Sequence, residues 1–322
     1  NGVANIAYTR SGEAVRLQVD GDLRTEQILA RDSSVHSAIG LDLDLNGLAQ
    51  VATTSFDSTQ TELSIFKSLE DQSTGRLSSE SMSVHQLYPD VEEGVAGFGD
   101  FNGDGFDDVV FTQPTASDSG LVNNGRVTVL FGGNESFDSS APVVLSGTQT
   151  SELFGSAIAI GSFLGNGMTQ LVLSSPGFDN SSKIGEQNHG RVSMYEWNQT
   201  QFDLVWSEDG NHEEMLGTDV SLIDDLNGDG YDDVIALQGN WSDGTSTGRL
   251  SVFEGFSDGL SLSHNITANT TGPFFGRSIS SGGDLNGDGY GDVVVSNSGT
   301  EDSPVGYSAI EVFYGSTDGL SS

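Results

Sequence analysis

One nine-residue pattern in this sequence has the residue types and spacing of a metal site. Asp-x-Asn-x-Asp-Gly-x-x-Asp occurs three times, beginning at residues 100, 225 and 284. Ca²⁺ is a hard cation that takes about six to eight oxygens, and alternate residues of a tight loop direct their side chains to one point while a carbonyl adds another oxygen. The pattern therefore predicts about three calcium ions, one in each loop. The predicted side-chain ligands are Asp100, Asn102, Asp104, Asp108, Asp225, Asn227, Asp229, Asp233, Asp284, Asn286, Asp288 and Asp292, and the predicted carbonyl ligands are Phe106, Tyr231 and Tyr290.

Three other interpretations of these loops are open. An EF-hand shares the first five positions, but it needs a Glu at the twelfth and flanking helices; here Phe111, Ala236 and Val295 stand there, inside strand-forming runs. Asn-Gly-Asp-Gly is also a good metal-free turn. That turn would leave three carboxylates of each loop repelling one another without compensation. Another cation, Mg²⁺ or Na⁺, is the remaining alternative.

Two further copies of the loop are eroded. One keeps Asp42, Asp44 and Asn46 but ends in Gln50, and this set predicts a fourth, weaker calcium site. The other copy, residues 162–170, carries no charged side chain, so we expect it to bind no ion.

The five loops define an internal repeat. Their starts at 42, 100, 162, 225 and 284 are 58 to 63 residues apart. A sixth copy is cut, because residues 1–8 align with 46–53, which predicts that the chain is a piece of a longer polypeptide. The repeats run over approximately 1–33, 34–90, 91–150, 151–210, 211–270 and 271–322.

Each repeat carries the same succession of strand signals. A short strand enters the loop, a β-branched run such as Val293–Ser296 leaves it, an alternating strand usually opened by Gly-Arg follows, and a variable strand closes the unit. Four strands in about 60 residues are typical of a propeller blade, whereas a sandwich domain needs about 100. We predict an all-β fold: one β-propeller domain over 1–322, built of four-stranded antiparallel blades, with parts of six blades visible and six or seven in the full ring.

Composition excludes several classes of function. With 47 acidic and 11 basic residues the net charge is −36, which disfavours binding to nucleic acid or to anionic membranes. The absence of cysteine excludes disulfides and thiolate chemistry. No apolar run long enough for a membrane span occurs, so we expect no membrane insertion within this segment. The five histidines stand alone and no catalytic signature is found, which predicts no enzymatic activity. Arg126, Arg191 and Arg249 of the Gly-Arg pairs recur with the repeat, which indicates a structural role, such as bonding to acids or carbonyls of a neighbouring blade.

The loops and their flanks resemble the FG-GAP repeats of integrin α-subunit heads. Phe154-Gly155, Leu216-Gly217 or Phe275-Gly276 precede a loop, and the following β run ends near Pro114 or at Ser175-Pro176-Gly177. The resemblance covers nearly the whole chain. It implies a β-propeller, commonly seven-bladed, with calcium in hairpin loops on one face and partner binding on another. The absence of cysteine makes the chain more similar to a bacterial, archaeal or protist FG-GAP protein.

These observations predict a calcium-stabilised module at the cell surface or outside the cell, acting in adhesion and recognition or in structure. Rigid scaffolds place binding on their loops, so we expect a protein or glycan ligand on the variable segments 115–124, 177–189 and 239–247, or copies of the chain itself in an assembly. Two alternatives stay open. FG-GAP-like propellers also occur in or beside polysaccharide lyases and a phospholipase D, which implies an enzyme or its accessory domain. The cut first repeat suggests a subunit of an extracellular filament or surface layer.

Overall fold

The computed structural model describes residues 96–133, 142–182, 187–242, 247–267, 274–298, 309–317 and 319–320, and, between residues 4 and 87, the strands given below. Every regular element in these ranges is a β-strand, which confirms the predicted fold class. No helix able to cross a membrane is found in the described part of the chain.

The strands form six sheets, and within each sheet they lie side by side in chain order. The first two sheets are β1 (Ala4–Arg10), β2 (Glu13–Asp20), β3 (Leu23–Arg31), then β4 (Val35–Leu41), β5 (Gln50–Asp57), β6 (Gln60–Phe66), β7 (Met82–Leu87). The next two are β8 (Ala96–Gly99), β9 (Asp108–Gln113), β10 (Arg126–Leu130), β11 (Val143–Ser146), then β12 (Ile158–Gly161), β13 (Gln170–Ser175), β14 (Arg191–Trp197), β15 (Phe202–Asp209). The last two are β16 (Leu216–Ile223), β17 (Asp233–Ser242), β18 (Thr247–Phe256), β19 (Gly259–Thr267), then β20 (Phe274–Gly283), β21 (Asp292–Ser298), β22 (Ala309–Phe313).

Four of these sheets have the predicted four strands, and the first and last have three in the described residues. The pairing is antiparallel throughout the sheets for which register is given, for example Val172 with Met194 and Ile235 with Val252. Consecutive antiparallel sheets of this kind are the blades of a β-propeller, as the repeat length predicts.

Burial explains why the second strand of each repeat is a β-branched run. Every residue of β9 and β13, and the first six residues of β17, are buried, because these strands are covered on both faces. The fourth strands β15 and β19 each contain several exposed residues. The second strand therefore lies inside the fold and the fourth strand at its outer edge.

The chain separates into two compact units. Unit 1 contains residues 1–116 and 127–145, and in it β1 and β2 contact β4, while β4 contacts β8. Unit 2 contains residues 117–126 and 146–322.

The described residues of unit 2 form two apolar cores, each between neighbouring sheets. One includes Val172, Met194 and Phe163 of the β12–β15 repeat with Val234 and Phe253 of the β16–β19 repeat. The other joins β16–β19 to β20–β22, and its buried side chains are Ile223, Leu226, Ile235, Leu237, Leu250, Val252, Phe275, Ile279, Val293, Val295 and Phe313. Burying both faces of a thin sheet in this way is the main source of its stability.

The Phe-Gly and Gly-Arg pairs meet where successive repeats of unit 2 join. Gly190, which opens β14, forms an isolated parallel bridge with Leu216, the first residue of β16. A Cβ at residue 190 would lie 2.2 Å from the Leu216 carbonyl oxygen, so only glycine fits. The two sequence signatures are thus the two sides of one contact between blades.

Candidate metal centre

The three intact loops connect the first and second strands of their sheets and share one backbone fold. In the first loop, Asp100 Oδ1 accepts hydrogen bonds from the amides of Gly103 (2.8 Å) and Asp104 (3.1 Å), and its Oδ2 accepts one from Gly105 (2.8 Å). Asp284 accepts the equivalent three amides at 2.6, 3.0 and 2.8 Å. Asp225 accepts the amides of Asp229 (2.8 Å) and Gly230 (3.1 Å). The first carboxylate therefore curls each loop around itself.

The third and fifth positions of each loop lie side by side. Asn102 Nδ2 donates to Asp104 Oδ2 at 3.0 Å, and the same pair recurs in the other two loops at 3.0 and 2.9 Å. The other oxygen of Asp104 accepts the amide of Phe106 at 2.9 Å. The carboxamide and the carboxylate are thus held together at the exposed tip of the loop, as the spacing predicts.

The ninth position lies at the base of the loop and is completely buried. Asp108, Asp233 and Asp292 each have 0% exposure. Asp108 Oδ2 accepts the amide of Phe101 at 2.8 Å, and its Oδ1 accepts the amide of Gly132, beyond the third strand, at 2.8 Å. Asp233 and Asp292 make the same two bonds, to residues 226 and 255 and to residues 285 and 315, at 2.7 to 2.9 Å. This carboxylate ties the loop to the end of the third strand.

The nine-residue pattern does not predict this second role of the ninth residue or the glycine that serves it. A Cβ at Gly132, Gly255 or Gly315 would lie 2.1 to 2.4 Å from the carbonyl oxygen of the eighth loop residue, so the close approach requires glycine. A glycine that recurs at the end of the third strand or just after it was the available signal.

Burial and charge act against ionisation at this position. Burial raises the pKa of Asp108 to about 7; its two backbone hydrogen bonds lower the pKa, and the carboxylates of Asp104 and Asp100 raise it again. Burial likewise raises the pKa of Asp233 to about 7, against its bonds to Gly255 and Leu226, with the carboxylates of Asp229 and Glu254 adding to the rise. In these two loops the tip therefore adds negative charge beside an already buried carboxyl group. A bound cation would reverse both effects.

The donor set of each loop fits a hard cation, since it consists of carboxylate, carboxamide and carbonyl oxygens. The structure brings the first, third and fifth residues of a loop together and places the ninth at its base. The loop carboxylates are directed at backbone amides, and no three acidic or histidine side chains among the described residues are grouped as metal ligands. The residues Asp42, Asp44 and Asn46 of the fourth predicted site lie outside the described residues.

The uncharged loop 162–170 is closed in a different way. Gln170 is completely buried, and its Nε2 lies 3.1 Å from Asn166 Oδ1, 2.9 Å from the Met168 carbonyl oxygen and 2.7 Å from Glu196 Oε2. Asn166 Nδ2 also donates to Glu196, at 2.7 Å. Asn166 and Met168 hold the fifth and seventh positions, whose oxygens are predicted metal ligands in the intact loops. The side-chain amide nitrogen of Gln170 therefore lies among the oxygen atoms that would face a cation in an intact loop.

At the opposite end of the sheets, the recurring arginines have the structural role that the sequence predicts, although their acidic partners belong to their own repeats rather than to a neighbouring blade. Arg126 pairs with Asp118 (3.2 Å), and Arg249 pairs with Glu214 (3.1 Å). Arg191 bonds Asp209 through both Nε and Nη2.

Two of the arginines also stack on aromatic rings. Arg191 lies 3.6 Å above the ring centre of Phe178, and Arg249 lies 5.1 Å from that of Trp241. Phe178 and Trp241 belong to the variable segments, so the arginines fix the roots of these segments to the sheets.

Comparison with known proteins agrees with this geometry. The FG-GAP repeat family matches residues 95–130 and 275–308, which include the first and third intact loops. The chain is 26% identical to human (Homo sapiens) integrin alpha-6 over 56% of its length, 27% identical to chicken (Gallus gallus) integrin alpha-V over 63%, and 26% identical to Xenopus laevis integrin alpha-5 over 68%. These alignments cover 17%, 20% and 21% of the respective relatives, so the chain spans about a fifth of their length. The chain is therefore a cysteine-free β-propeller protein with FG-GAP repeats, related to the integrin α subunits.

Proposed function

We propose that this protein is a calcium-stabilised extracellular propeller that serves in adhesion and recognition. One observation carries the proposal: three loops of the same fold each place carboxylates at an exposed tip above a completely buried aspartate. The pKa of that aspartate is raised to about 7 in two of the three loops. A divalent cation is the simplest counter-charge for this arrangement, and oxygen donors favour calcium.

Three ions would be held by the three intact loops through the residues named above for positions one, three, five, seven and nine. Bound calcium supplies charge neutralisation and no chemistry of bond making. The chain itself supplies the support: the first aspartate organises the loop amides, and the ninth fixes the loop to the third strand. Loop 162–170 needs no ion, because the Gln170 amide already joins its oxygens. A weaker fourth site at Asp42, Asp44 and Asn46 remains part of the proposal.

Recognition is proposed for the other end of the sheets. The segments 115–124, 177–189 and 239–247 connect second and third strands, so they lie at the end of their sheets opposite the loops that connect first and second strands. They differ in sequence from repeat to repeat, while the arginines that support them recur. Variable loops on a rigid support are the usual site of binding. The relationship to integrin α subunits favours a protein or glycan ligand and a non-enzymatic role.

The extracellular location rests on the metal and on the relatives. Extracellular calcium modules bind with dissociation constants of about 10⁻⁴–10⁻³ M, which suits external calcium concentrations and not those of the cytosol. A net charge of −36 keeps the surface apart from other polyanions and from copies of itself.

Calorimetric titration of the chelator-stripped chain with CaCl₂ tests the metal part. We expect uptake of about three ions and a higher midpoint of thermal unfolding in calcium than in EDTA, because a ligand that binds only the folded state stabilises it. No heat of binding together with an unchanged midpoint would contradict the proposal.

The recognition part is tested by probing arrays of glycans and of extracellular matrix proteins with the labelled chain. Binding that is lost when residues 177–182 and 187–189 are replaced by glycine and serine, and kept in an Asp203→Asn control, supports it. Filaments seen by electron microscopy without array binding favour the structural alternative, and release of unsaturated sugars from acidic polysaccharides favours the enzymatic one; either result would contradict it.

A further inference from the structure

In unit 2, the seventh residue of each carboxylate loop packs onto the loop of the preceding repeat. The ring of Tyr290 lies over Gly228, where an added Cβ would be 3.1 Å from Tyr290 Cε1. The ring of Tyr231 lies over Gly165 in the same way, with a Cβ distance of 2.6 Å. Gly165 and Gly228 both hold the fourth position of their loops. The contact is thus a repeated feature of the blade arrangement.

A second set of contacts joins the same loops at their bases. Gly291, next to Asp292, packs against the backbone of Asp224, since a Cβ at residue 291 would lie 2.2 Å from the Asp224 carbonyl oxygen. Gly315 donates its amide to Asp292 Oδ1 at 2.9 Å and packs on the side chain of Leu226, which is completely buried. The loop at 225–233 and the loop at 284–292 therefore touch at two places.

The two residues of the tyrosine–glycine contact, Gly228 and Tyr290, are each close in sequence to predicted side-chain ligands. Gly228 lies between Asn227 and Asp229, whose side chains are hydrogen-bonded at 3.0 Å. Tyr290 donates its amide to Asp288 Oδ1 at 3.0 Å. A change in either loop tip, such as closure of the oxygens on a cation, is passed to the other through the tyrosine ring because the ring is packed directly on the backbone of Gly228.

We propose that the loops 225–233 and 284–292 bind their calcium ions with positive cooperativity, and that the Tyr290 ring on Gly228 couples them. This inference rests on the proposed function. An ion in one loop orders the tyrosine–glycine contact, so the second ion meets a loop that has already lost part of its conformational freedom. The loop 100–108 is followed in repeat order by the charge-free loop 162–170, so the proposed coupling does not extend from it in that direction.

The test uses the full chain with the first intact site disabled by Asp100→Asn and Asp104→Asn and the weaker fourth site by Asp42→Asn and Asp44→Asn, so that only the coupled pair takes up calcium. Calorimetric titration of the stripped protein should show a Hill coefficient above one. Disabling the 225–233 loop by Asp225→Asn and Asp229→Asn should weaken binding at 284–292 by roughly 5-fold or more, and the reciprocal pair, Asp284→Asn and Asp288→Asn, should weaken the other site by the same factor.

Tyr290→Leu isolates the coupling, since the carbonyl ligand is kept and only the ring is lost. We expect the two sites to become independent in this variant and to remain coupled in Tyr290→Phe, which keeps the ring. Tyr231→Leu is the matched control: its ring lies on the uncharged loop, so coupling should persist. Circular dichroism in calcium confirms that each variant is folded.

The inference would be overturned if the protein with the other sites disabled and Tyr290 unchanged bound its two ions independently, or if the coupling survived Tyr290→Leu. Either result would leave the proposed calcium binding intact. Absence of any calcium uptake by the parent and by the unmodified chain would remove both.

Discussion

Gly248 lies so close to Phe275 that a Cβ at residue 248 would be 2.0 Å from the Phe275 carbonyl oxygen. Gly248 precedes Arg249 and Phe275 precedes Gly276, so this contact repeats the one between Gly190 and Leu216, where a Gly-Arg pair meets a Leu-Gly pair of the next repeat. The backbone at Phe275 cannot move away from residue 248 without separating two sheets that share an apolar core.

We expect Gly248→Ala to lower the free energy of unfolding by more than about 3 kcal/mol, because the methyl group adds a backbone collision to a left-handed conformation. Gly120→Ala is the control: its φ of +86° is nearly that of Gly248 (+87°), but no atom lies within 4 Å of the added Cβ. Gly120→Ala should lower the free energy of unfolding by about 1–2 kcal/mol. Urea unfolding measures both, and equal losses would show that packing between the repeats does not require the glycine.

The loops contain both contacts that the sequence predicts and contacts that it does not. The nine-residue spacing and the β-branched runs are local signals, so the sheets and the association of the first, third and fifth loop residues could be predicted. The bond from Asp108 to Gly132 spans 24 residues and no local pattern contains it. The same is true of Glu196, which reaches the uncharged loop from the third strand. Long-range partners are fixed only when the strands pair.

Gln170→Leu should destabilise the protein equally in calcium and in EDTA. The substitution leaves Glu196, Asn166 and the Met168 carbonyl, none of which is fully buried, without their shared donor, and each hydrogen bond lost costs about 0.5–1.5 kcal/mol net. Gln201→Leu, at an exposed position, is the control. Differential scanning calorimetry in both buffers compares the losses of thermal midpoint. A loss that calcium removes would show that this loop takes up an ion.

Asp219→Asn should stabilise the protein at neutral pH. Burial raises the pKa of Asp219, against its hydrogen bond from the Ile279 amide (2.9 Å) in the next sheet. A carboxyl whose folded-state pKa is raised weakens the fold when it is charged, so the parent regains stability as the pH falls from neutral through that raised pKa. The advantage of the asparagine, which keeps an acceptor for the amide, should therefore shrink on acidification.

The control for this pH dependence is Asp203→Asn. Hydrogen bonds from Gln201 and Asn198 lower the pKa of Asp203, so its contribution to stability is present above the ordinary pKa and is lost as the pH falls. At neutral pH, Asp219→Asn should thus raise the free energy of unfolding, whereas Asp203→Asn should lower it. Thermal midpoints between about pH 3 and pH 7.5 provide the comparison, and a pH-independent effect of Asp219→Asn would contradict the assigned cause.

Asp104→Asn should reduce the number of calcium ions bound by one and leave the other two intact loops loaded. Asp104 holds the fifth position, and its carboxylate is a predicted ligand at the exposed tip, with no part in the buried bonds of Asp108. The fold in EDTA should therefore change little. At calcium concentrations of about 10 to 100 times the dissociation constant, one lost site removes about 1.4–2.7 kcal/mol of calcium-dependent stabilisation.

Calorimetric stoichiometry together with unfolding midpoints in calcium and in EDTA measures this effect, with Asp203→Asn as an acidic-to-amide control away from the loops. If Asp104→Asn and Asp203→Asn kept the same number of ions, the tip of the 100–108 loop would not be a calcium site. If instead Asp104→Asn destabilised the protein equally in both buffers, the carboxylate would act through its hydrogen bond to the Phe106 amide and not through a cation.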